Sequence, residues 1–163
     1  MRRPSQTFAP QQARSRESLG KLLKAAVEVL GQQGVAGTTI PRIAAHAGLT
    51  PGAVYRRFRN KDVLLETAIL RILEDQAKVL LLSLPVEAAA EIPFPTLAEQ
   101  VINSLVVSYR VNASLVRAVR QFLQEREGSA FWKKASKLEM RTFEYLVDIF
   151  RSEEHTSELQ SLV

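Results

Sequence analysis

The side chains in this sequence that are best suited to chemistry are cations, and they are concentrated near its beginning. Residues 1–61 hold eleven Lys or Arg and two Asp or Glu, a net charge of +9, whereas residues 62–163 hold eleven and fifteen, a net charge of −4. A basic stretch of this kind is the electrostatic footprint of a surface that binds polyanions. The distribution therefore favours a polyanion partner, with a merely solvated basic surface as the alternative.

Residues that would support an enzyme or a metal site are missing or badly spaced. There is no cysteine, and the two histidines, His46 and His155, lie far apart in the sequence. No glycine-rich phosphate loop and no nucleophile elbow is present. Carboxylates such as Glu66, Glu74 and Asp75 show no spacing that would pair them for catalysis, and a solvated helix face accounts for them. We therefore expect a protein that is not an enzyme and that needs neither a metal nor a cofactor.

Residues 39–61, TIPRIAAHAGLTPGAVYRRFRNK, predict two short helices with a tight turn between them. Thr39 and Thr50 carry side-chain oxygens placed to cap these helices, and Pro51 suits the first position of the second one. Gly48 supplies the backbone freedom that a sharp turn needs. The cations of this region must therefore be positioned by a helical hairpin.

The spacing of small and apolar residues predicts that the two helices pack closely. Ala44, Gly48 and Val54 fall at intervals of four and six residues, and Phe58 lies four residues after Val54 on the same face. This is the pattern of a helix-turn-helix, which lays its second helix in the major groove of DNA. A purely structural helical hairpin is the alternative from the pattern alone.

The segment GVAGTTIPRIAAHAGLTPGAVYRRFRNKDVLL, residues 34–65, with the helix before it, resembles the DNA-binding domain of the tetracycline-repressor (TetR) family. The shared signs are a glycine closing the first helix, then TTIxxIA, AGLT and VYxxFxxK. The resemblance covers about residues 15–70, and beyond residue 75 only the helical layout is similar. It implies a bacterial repressor that binds a palindromic operator in double-stranded DNA as a homodimer and releases it when an unknown small-molecule inducer binds.

The resemblance assigns base-reading roles to the start of the second helix. Thr50, Pro51, Gly52 and Ala53 form its leading edge, nearest the base edges. Because Gly52 has no side chain, the backbone could approach DNA closely there. Arg56 occupies a position that faces bases or phosphates in the family, and an arginine could bind guanine through two hydrogen bonds.

The resemblance also assigns phosphate contacts. Tyr55 and Lys61 match the family's phosphate-contacting tyrosine and lysine. A hydroxyl of Thr38 or Thr39 could donate to a phosphate, and Arg42 could reach a phosphate or a base from the preceding helix.

Several residues of this region have alternative roles that involve no DNA contact. Tyr55 could belong to the hydrophobic core, and Arg57 and Arg59 could be solvated rather than touch DNA. His46 is expected on the exposed side of its helix. Val54 and Phe58 are expected in the core.

The remaining sequence predicts helices and no strand, so the fold class is all-α: a three-helix helix-turn-helix module followed by a helical ligand-binding and dimerisation module. The predicted domains are a disordered basic arm over 1–14, the DNA-binding domain over 15–62, a partial regulatory domain over 63–150 and a tail over 151–163. The longest apolar run, residues 79–82, is far short of the ~20 residues that span a bilayer. We expect a cytoplasmic protein.

Caps and breaks set the expected helix limits. Periodic apolar residues predict helices over 15–33, 61–82, 96–110, 112–126 and 129–150, with a proline-rich loop over 83–95. Gly34 closes the first helix and Gly128 separates the last two. Asn60, Asn112 and Ser129 are expected as N-terminal caps.

Aromatic residues of the second half are candidates for the inducer site. Phe94, Tyr109, Phe122, Trp132 and Phe143 could line an apolar pocket between helices, together with Phe131 and Tyr145. Plain core packing is the alternative for each of them.

The final residues depart from the helical pattern. RSEEHTSELQS, residues 151–161, resembles the conceptual translation of a common short-read sequencing adapter. We therefore expect a non-native tail, with the helices that form the family's dimer bundle missing. A helical interaction protein, whose basic half meets an acidic protein partner, is the main alternative function, and an enzyme is a weaker one.

Overall fold

The computed structural model describes the backbone of residues 8–151 and the side chains of residues 15–151. Seven α-helices and no strand occupy this part of the chain, which confirms the all-α fold class. Their bounds are Phe8–Gly37 (α1), Ile40–His46 (α2), Pro51–Tyr55 (α3), Lys61–Ser83 (α4), Val86–Ala90 (α5), Phe94–Gln124 (α6) and Ala130–Phe150 (α7). Of the expected tail, residues 152–163 lie outside the described residues.

Helix α1 begins earlier than the sequence indicates. The expectation of a disordered arm over 1–14 is wrong from Phe8 onward, where the backbone is already helical. The proline in this stretch, Pro10, lies within the first turn, where a helix needs no intrahelical N–H donor. Residues 1–7 lie outside the described part of the chain.

Gly34 breaks α1 near its end, as predicted. Its φ of 66° and ψ of −179° are not helical, and the segment Val35–Gly37 continues in a new direction. A positive φ of this size is a conformation that glycine adopts without the steric penalty of a side chain. The break sets where the chain turns into α2.

The chain folds into two compact units, and the boundary between them lies between Ala68 and Ile69, inside α4. The predicted boundary, after residue 62, lies six residues earlier. The first turns of α4 belong to the first unit because Leu64, Leu65 and Ala68 are buried there rather than exposed as a linker.

The core of the first unit collects apolar side chains from each of its helices. Leu22, Ala26 and Leu30 of α1 are fully buried, and so are Ile43 and Ala44 of α2 and Val54 of α3. Phe58 is also buried, so the expectation that Val54 and Phe58 are core residues is confirmed. Burying a Leu, Ile or Val side chain stabilises a fold by roughly 1.5–3 kcal/mol, so these helices hold one another in place.

In the second unit, α5 and the start of α6 pack against the end of α7. Ala89, Leu97 and Ile149 are completely buried in this cluster. The Tyr145 hydroxyl donates to the carbonyl of Leu84 at 2.8 Å. The expected loop over 83–95 is therefore partly wrong: α5 forms within it because its apolar residues have a partner surface on α7.

Helix α6 consists of two helical segments that meet at a kink, as predicted. The predicted break falls at the right residue, because Asn112 has a non-helical φ of −108° and ψ of 15°. The predicted cap is wrong. The Asn112 side-chain amide donates back to the Ser108 carbonyl at 3.0 Å instead of accepting from a following N–H.

The start of α7 agrees with prediction. Gly128 has a φ of 79°, and the Ser129 hydroxyl oxygen accepts from the Trp132 amide at 3.0 Å. Just beside it, the rings of Phe122 and Phe131 meet edge to face at 5.7 Å. None of the helices in residues 8–151 is long and apolar enough to cross a membrane.

Candidate nucleic-acid interface

The turn between α2 and α3 is closed by main-chain hydrogen bonds around Gly48. The Gly48 amide donates to the Ala45 carbonyl at 3.1 Å, and the Leu49 amide donates to the Ala44 carbonyl at 2.8 Å. With Gly48 at a φ of 67°, this pair of bonds is a Schellman motif, which ends a helix and redirects the chain. The predicted role of Gly48 is confirmed.

Both predicted threonine caps form. Thr39 precedes α2 in an extended conformation, and its Oγ1 accepts from the Arg42 amide at 3.4 Å. Thr50 precedes α3 in the same way, and its Oγ1 accepts from the Ala53 amide at 3.2 Å. Each hydroxyl therefore uses its oxygen within the protein and keeps its hydrogen for another acceptor.

Helix α3 is shorter than the sequence indicates. It ends at Tyr55, and Arg56 follows as a helical C-cap. The amides of Arg57 and Phe58 both donate to the Val54 carbonyl, at 2.9 and 3.0 Å, which adds one irregular turn. The Phe58 side chain therefore enters the core from that turn and not from α3 itself.

The leading edge of α3 is open to solvent. Thr50, Pro51 and Gly52 are exposed and Ala53 is half-buried, whereas Val54 faces the core. A side-chain carbon added at Gly52 would meet nothing within 4 Å, so the surface there is unobstructed. Such an edge has the shape to meet a broad partner surface.

Tyr55 lies on the outside of the first unit. Its side chain is 56% exposed, so the alternative that places it in the hydrophobic core is wrong. Next to it, Arg56 is exposed, and its guanidinium makes no hydrogen bond or ion pair with the described residues. Both side chains can reach an external partner.

Two further cations are held by main-chain carbonyls at the end of α1. Arg42 donates from Nη1 to the Gly37 carbonyl at 2.8 Å, and Lys61 donates from Nζ to the Val35 carbonyl at 3.2 Å. Gln33 lies 3.5 Å from the same Arg42 nitrogen through its Oε1. The sequence does not reveal these contacts, because a carbonyl acceptor has no residue signature.

Thr38 does not contribute to this surface. Its side chain is fully buried, and its hydroxyl donates to the Gly34 carbonyl at 2.6 Å. The expectation that it donates to a phosphate is wrong. The Thr38 hydroxyl bonds back to the carbonyl four residues earlier, a local contact that threonine and serine side chains commonly make.

Two exposed side chains tie the motif to α1 in ways that the sequence left open. Arg57 donates to the main-chain and side-chain oxygens of Ser15, at 3.3 Å each. His46 lies 2.8 Å from the Glu28 carboxylate through Nε2. His46 is on the exposed side of its helix, as expected, but it pairs with α1.

The five aromatic residues predicted to line an inducer site differ widely in exposure. Phe122 is fully buried, which agrees with plain core packing. Tyr109 and Phe143 are 55% and 63% exposed, and Phe94 and Trp132 are half-buried. A surface groove along α6 is lined by other residues: Asn103, Ser104, Val107, Ser108, Val111 and Asn112. Among residues 15–151, no group of acidic and histidine side chains could hold a metal ion.

Sequence comparisons agree with this geometry. The family described as bacterial regulatory proteins, tetR family, matches residues 22–68. The HTH-type transcriptional regulator BetI 2 of Chromohalobacter salexigens is 40% identical over 55 residues, which are 34% of this chain and 27% of that protein. The uncharacterized HTH-type transcriptional regulator TtgW of Pseudomonas putida is 39% identical over 57 residues, 35% and 42% of the two chains. The chain thus matches about a quarter of the length of the first of these curated relatives.

Solved structures share the fold over a longer stretch. The transcriptional regulator FadR from Bacillus subtilis, in complex with stearoyl-CoA, superposes with a TM-score of 0.59 at 17% identity, covering 83% of this chain and 72% of that one. A putative TetR-family regulator from Vibrio parahaemolyticus gives a TM-score of 0.54 at 20% identity, covering 84% and 70%. At these identities the likeness concerns the fold alone.

The capped helix-turn-helix lies within the segment that the matched transcription regulators share with this chain. The match over residues 22–68 shows that this segment is similar to the tetR family of bacterial regulatory proteins.

Proposed function

We propose that this chain is a cytoplasmic, ligand-responsive repressor that binds a palindromic operator in double-stranded DNA as a homodimer. The observation that carries the proposal is the exposed leading edge of α3, from Thr50 to Ala53, which is held rigidly by a cap and a closed turn. A short, rigid, exposed helix N-terminus beside cations is what a major groove receives. No catalytic step belongs to this proposal.

Base recognition falls to the leading edge and Arg56. With no obstruction around Gly52, the backbone of α3 can come close to the base edges. Arg56 keeps its whole guanidinium for the partner, and arginine pairs with guanine O6 and N7 through two hydrogen bonds. We assign Arg56 to a guanine or to a phosphate flanking it.

Phosphate contacts fall to side chains that surround this edge. Tyr55 is exposed and offers a phenolic hydroxyl, and Thr39 retains its hydroxyl hydrogen. Arg42 and Lys61 each use one donor within the protein and keep others for phosphate oxygens. Such contacts fix the protein's register on the duplex, whereas base contacts provide sequence specificity.

A two-fold symmetric dimer would place two copies of α3 in successive major grooves, about 34 Å apart along one face of the duplex. This is why a palindromic operator is proposed. The inducer would act by preferring a conformation in which that spacing is lost, because a ligand shifts an equilibrium only by its differential affinity for two states. Residues Phe94, Tyr109, Phe122, Trp132 and Phe143 stay predictions for its site.

Selection from a random duplex pool tests the proposal. The full chain is bound to the pool at about physiological salt, and the bound fraction is amplified and sequenced through several rounds. We expect enrichment of one inverted repeat with half-sites about one helical turn apart. A double variant, G52A with R56A, serves as the control because it removes the proposed base readout and leaves the other cations. A pool that stays random for the unaltered chain, with equal affinity for all duplexes, contradicts the proposal.

A further inference from the structure

The break at Gly34 turns the end of α1 into a pair of cation acceptors. The carbonyls of Val35 and Gly37, which we call the carbonyl bracket, accept from Lys61 and Arg42 respectively. Carbonyls in the last turn of a helix lack intrahelical partners and carry partial negative charge, so they attract cations. One short stretch of main chain thus holds two of the side chains to which we assign phosphate contacts.

Gly37 has no side chain where one would interfere with this arrangement. A carbon added there would lie 2.9 Å from Cβ of Gln33 and 3.5 Å from Nη1 of Arg42. The first distance is shorter than real contacts allow, and Cβ of Gln33 belongs to a rigid part of its side chain. The φ of Gly37 is not positive, so the requirement is for space rather than for a special backbone conformation.

We propose that Gly37 is a positioning residue of the DNA-binding surface: because it has no side chain to press against Cβ of Gln33, its carbonyl stays where it holds the Arg42 guanidinium, which orders Arg42 for a DNA phosphate before DNA arrives. This inference rests on the proposed function. Arginine has five N–H donors and the bracket engages only one nitrogen, so the others remain for the phosphate.

Ordering matters because Arg42 is a long, exposed side chain. Immobilising such a side chain on binding opposes association, and a contact that orders it beforehand removes part of that cost. The same contact contributes little to folding, since exposed polar contacts on a protein surface have small effects on stability. A loss of the bracket should therefore be visible in DNA affinity.

A double-variant cycle tests this with the full chain and the operator selected above. Four proteins are titrated into labelled operator duplex: the parent chain, G37A, R42A and the double variant G37A with R42A. Binding is followed by fluorescence anisotropy. We expect G37A to weaken binding about 3- to 10-fold in the parent chain and to have almost no effect once Arg42 is absent. Coupling of this kind identifies residues that act together. G20A is the matched control, because a side-chain carbon at Gly20 meets nothing within 4 Å.

The outcomes separate the inference from the function on which it rests. An equal loss from G37A with and without Arg42, or no loss at all, overturns the positioning role and leaves the proposed function standing. A parent chain that binds no duplex overturns both. A purely structural effect of G37A would also appear in the R42A background.

A second measurement needs no variant and stands even if G37A fails to fold. Relaxation of ¹⁵N in the arginine side chains of the free protein reports their order directly. We expect the Arg42 guanidinium to be markedly more ordered than the Arg56 guanidinium, because the side chain of Arg56 has no partner among the described residues. Equal mobility of the two side chains overturns the inference.

Discussion

Thr39 and Thr50 combine two tasks in one hydroxyl group each. The oxygen of each caps the helix that follows, and the hydrogen is left for an outside acceptor. The two caps differ in quality, since the Thr50 contact is 3.2 Å and the Thr39 contact is 3.4 Å. The better cap lies at the edge that we assign to base recognition, where orientation matters most.

Replacing Thr50 by alanine should lower the free energy of unfolding by about 1 kcal/mol, because the Ala53 amide loses its acceptor. The same change at Thr39 should have a smaller effect, and T50S should keep the cap. Urea unfolding monitored by circular dichroism measures the differences. Equal stability of T50A and T50S would show that the cap is not what holds α3.

Lys61 and Arg56 should behave differently when removed. K61A should weaken binding about equally on all duplexes and lower the salt slope by about one, since a phosphate contact carries no sequence information. R56A should instead relax specificity at one base pair. Anisotropy titrations at several salt concentrations, on the operator and on single-base variants, separate the two. K78A, which removes an exposed lysine of the second unit, is the control, and an unchanged salt slope in K61A would reject the phosphate assignment.

At the scale of elements, the turn between α2 and α3 decides whether the motif exists. Gly48 adopts a φ of 67° and receives the chain from α2 through two main-chain hydrogen bonds. Gly52, four residues later, has no such requirement and faces open space. We therefore assign different purposes to the two glycines: Gly48 in folding and Gly52 in close approach to DNA.

G48A should destabilise the protein by roughly 1–2 kcal/mol, because an L side chain resists a left-handed backbone. G52A should leave stability unchanged or slightly raised and should weaken operator affinity about tenfold, or roughly 1.4 kcal/mol, by placing a methyl group at the leading edge. Thermal unfolding and operator titration of the two variants check the prediction together. A G52A protein that binds the operator as well as the parent would mean that the backbone of α3 stays away from the bases.

Local chemistry explains what could be predicted from the sequence and what could not. The caps at Thr39, Thr50 and Ser129 were predictable because their partners lie three residues away in the chain. The role of Asn112 was not predictable, because an asparagine can cap a following helix or donate back to a preceding carbonyl. Only the finished fold selects one of these two roles. Thr38 was misassigned for a similar reason, because a threonine can bond back to the carbonyl four residues earlier or face outward, and only the finished fold shows that Thr38 is buried.

Elements whose structure depends on packing against residues far away in the sequence were harder to predict. The segment Val86–Ala90 carries few local signals, and it is helical because α7 offers a surface for it. No residue pattern in the sequence predicts the carbonyl bracket, because its acceptors are main-chain atoms. Arg42 and Lys61 could be predicted as phosphate contacts from their residue types, but the orientation of their side chains could not.

At the scale of the whole molecule, charge and exposed apolar surface are divided differently along the chain. The net charge of +9 lies in residues 1–61. The large exposed apolar side chains lie mostly in the second unit, and α6 carries six of them: Ile102, Leu105, Val106, Val107, Tyr109 and Val111. A concentration of exposed apolar side chains on one helix favours association or aggregation in water. We therefore expect two modes of association with different responses to salt.

DNA binding should weaken as salt rises because counterions compete for the phosphates, whereas association through the exposed part of α6 should not weaken. We expect the full chain to self-associate with increasing concentration in sedimentation velocity, and V107K with V111K to reduce this while the helical signal in circular dichroism is kept. The control, N103K with S108K, adds the same charge along the same groove but keeps every apolar side chain. If both double variants reduce self-association equally, charge repulsion is sufficient to explain the effect. If neither does, the association involves another surface, and the exposed side chains of α6 have no part in it.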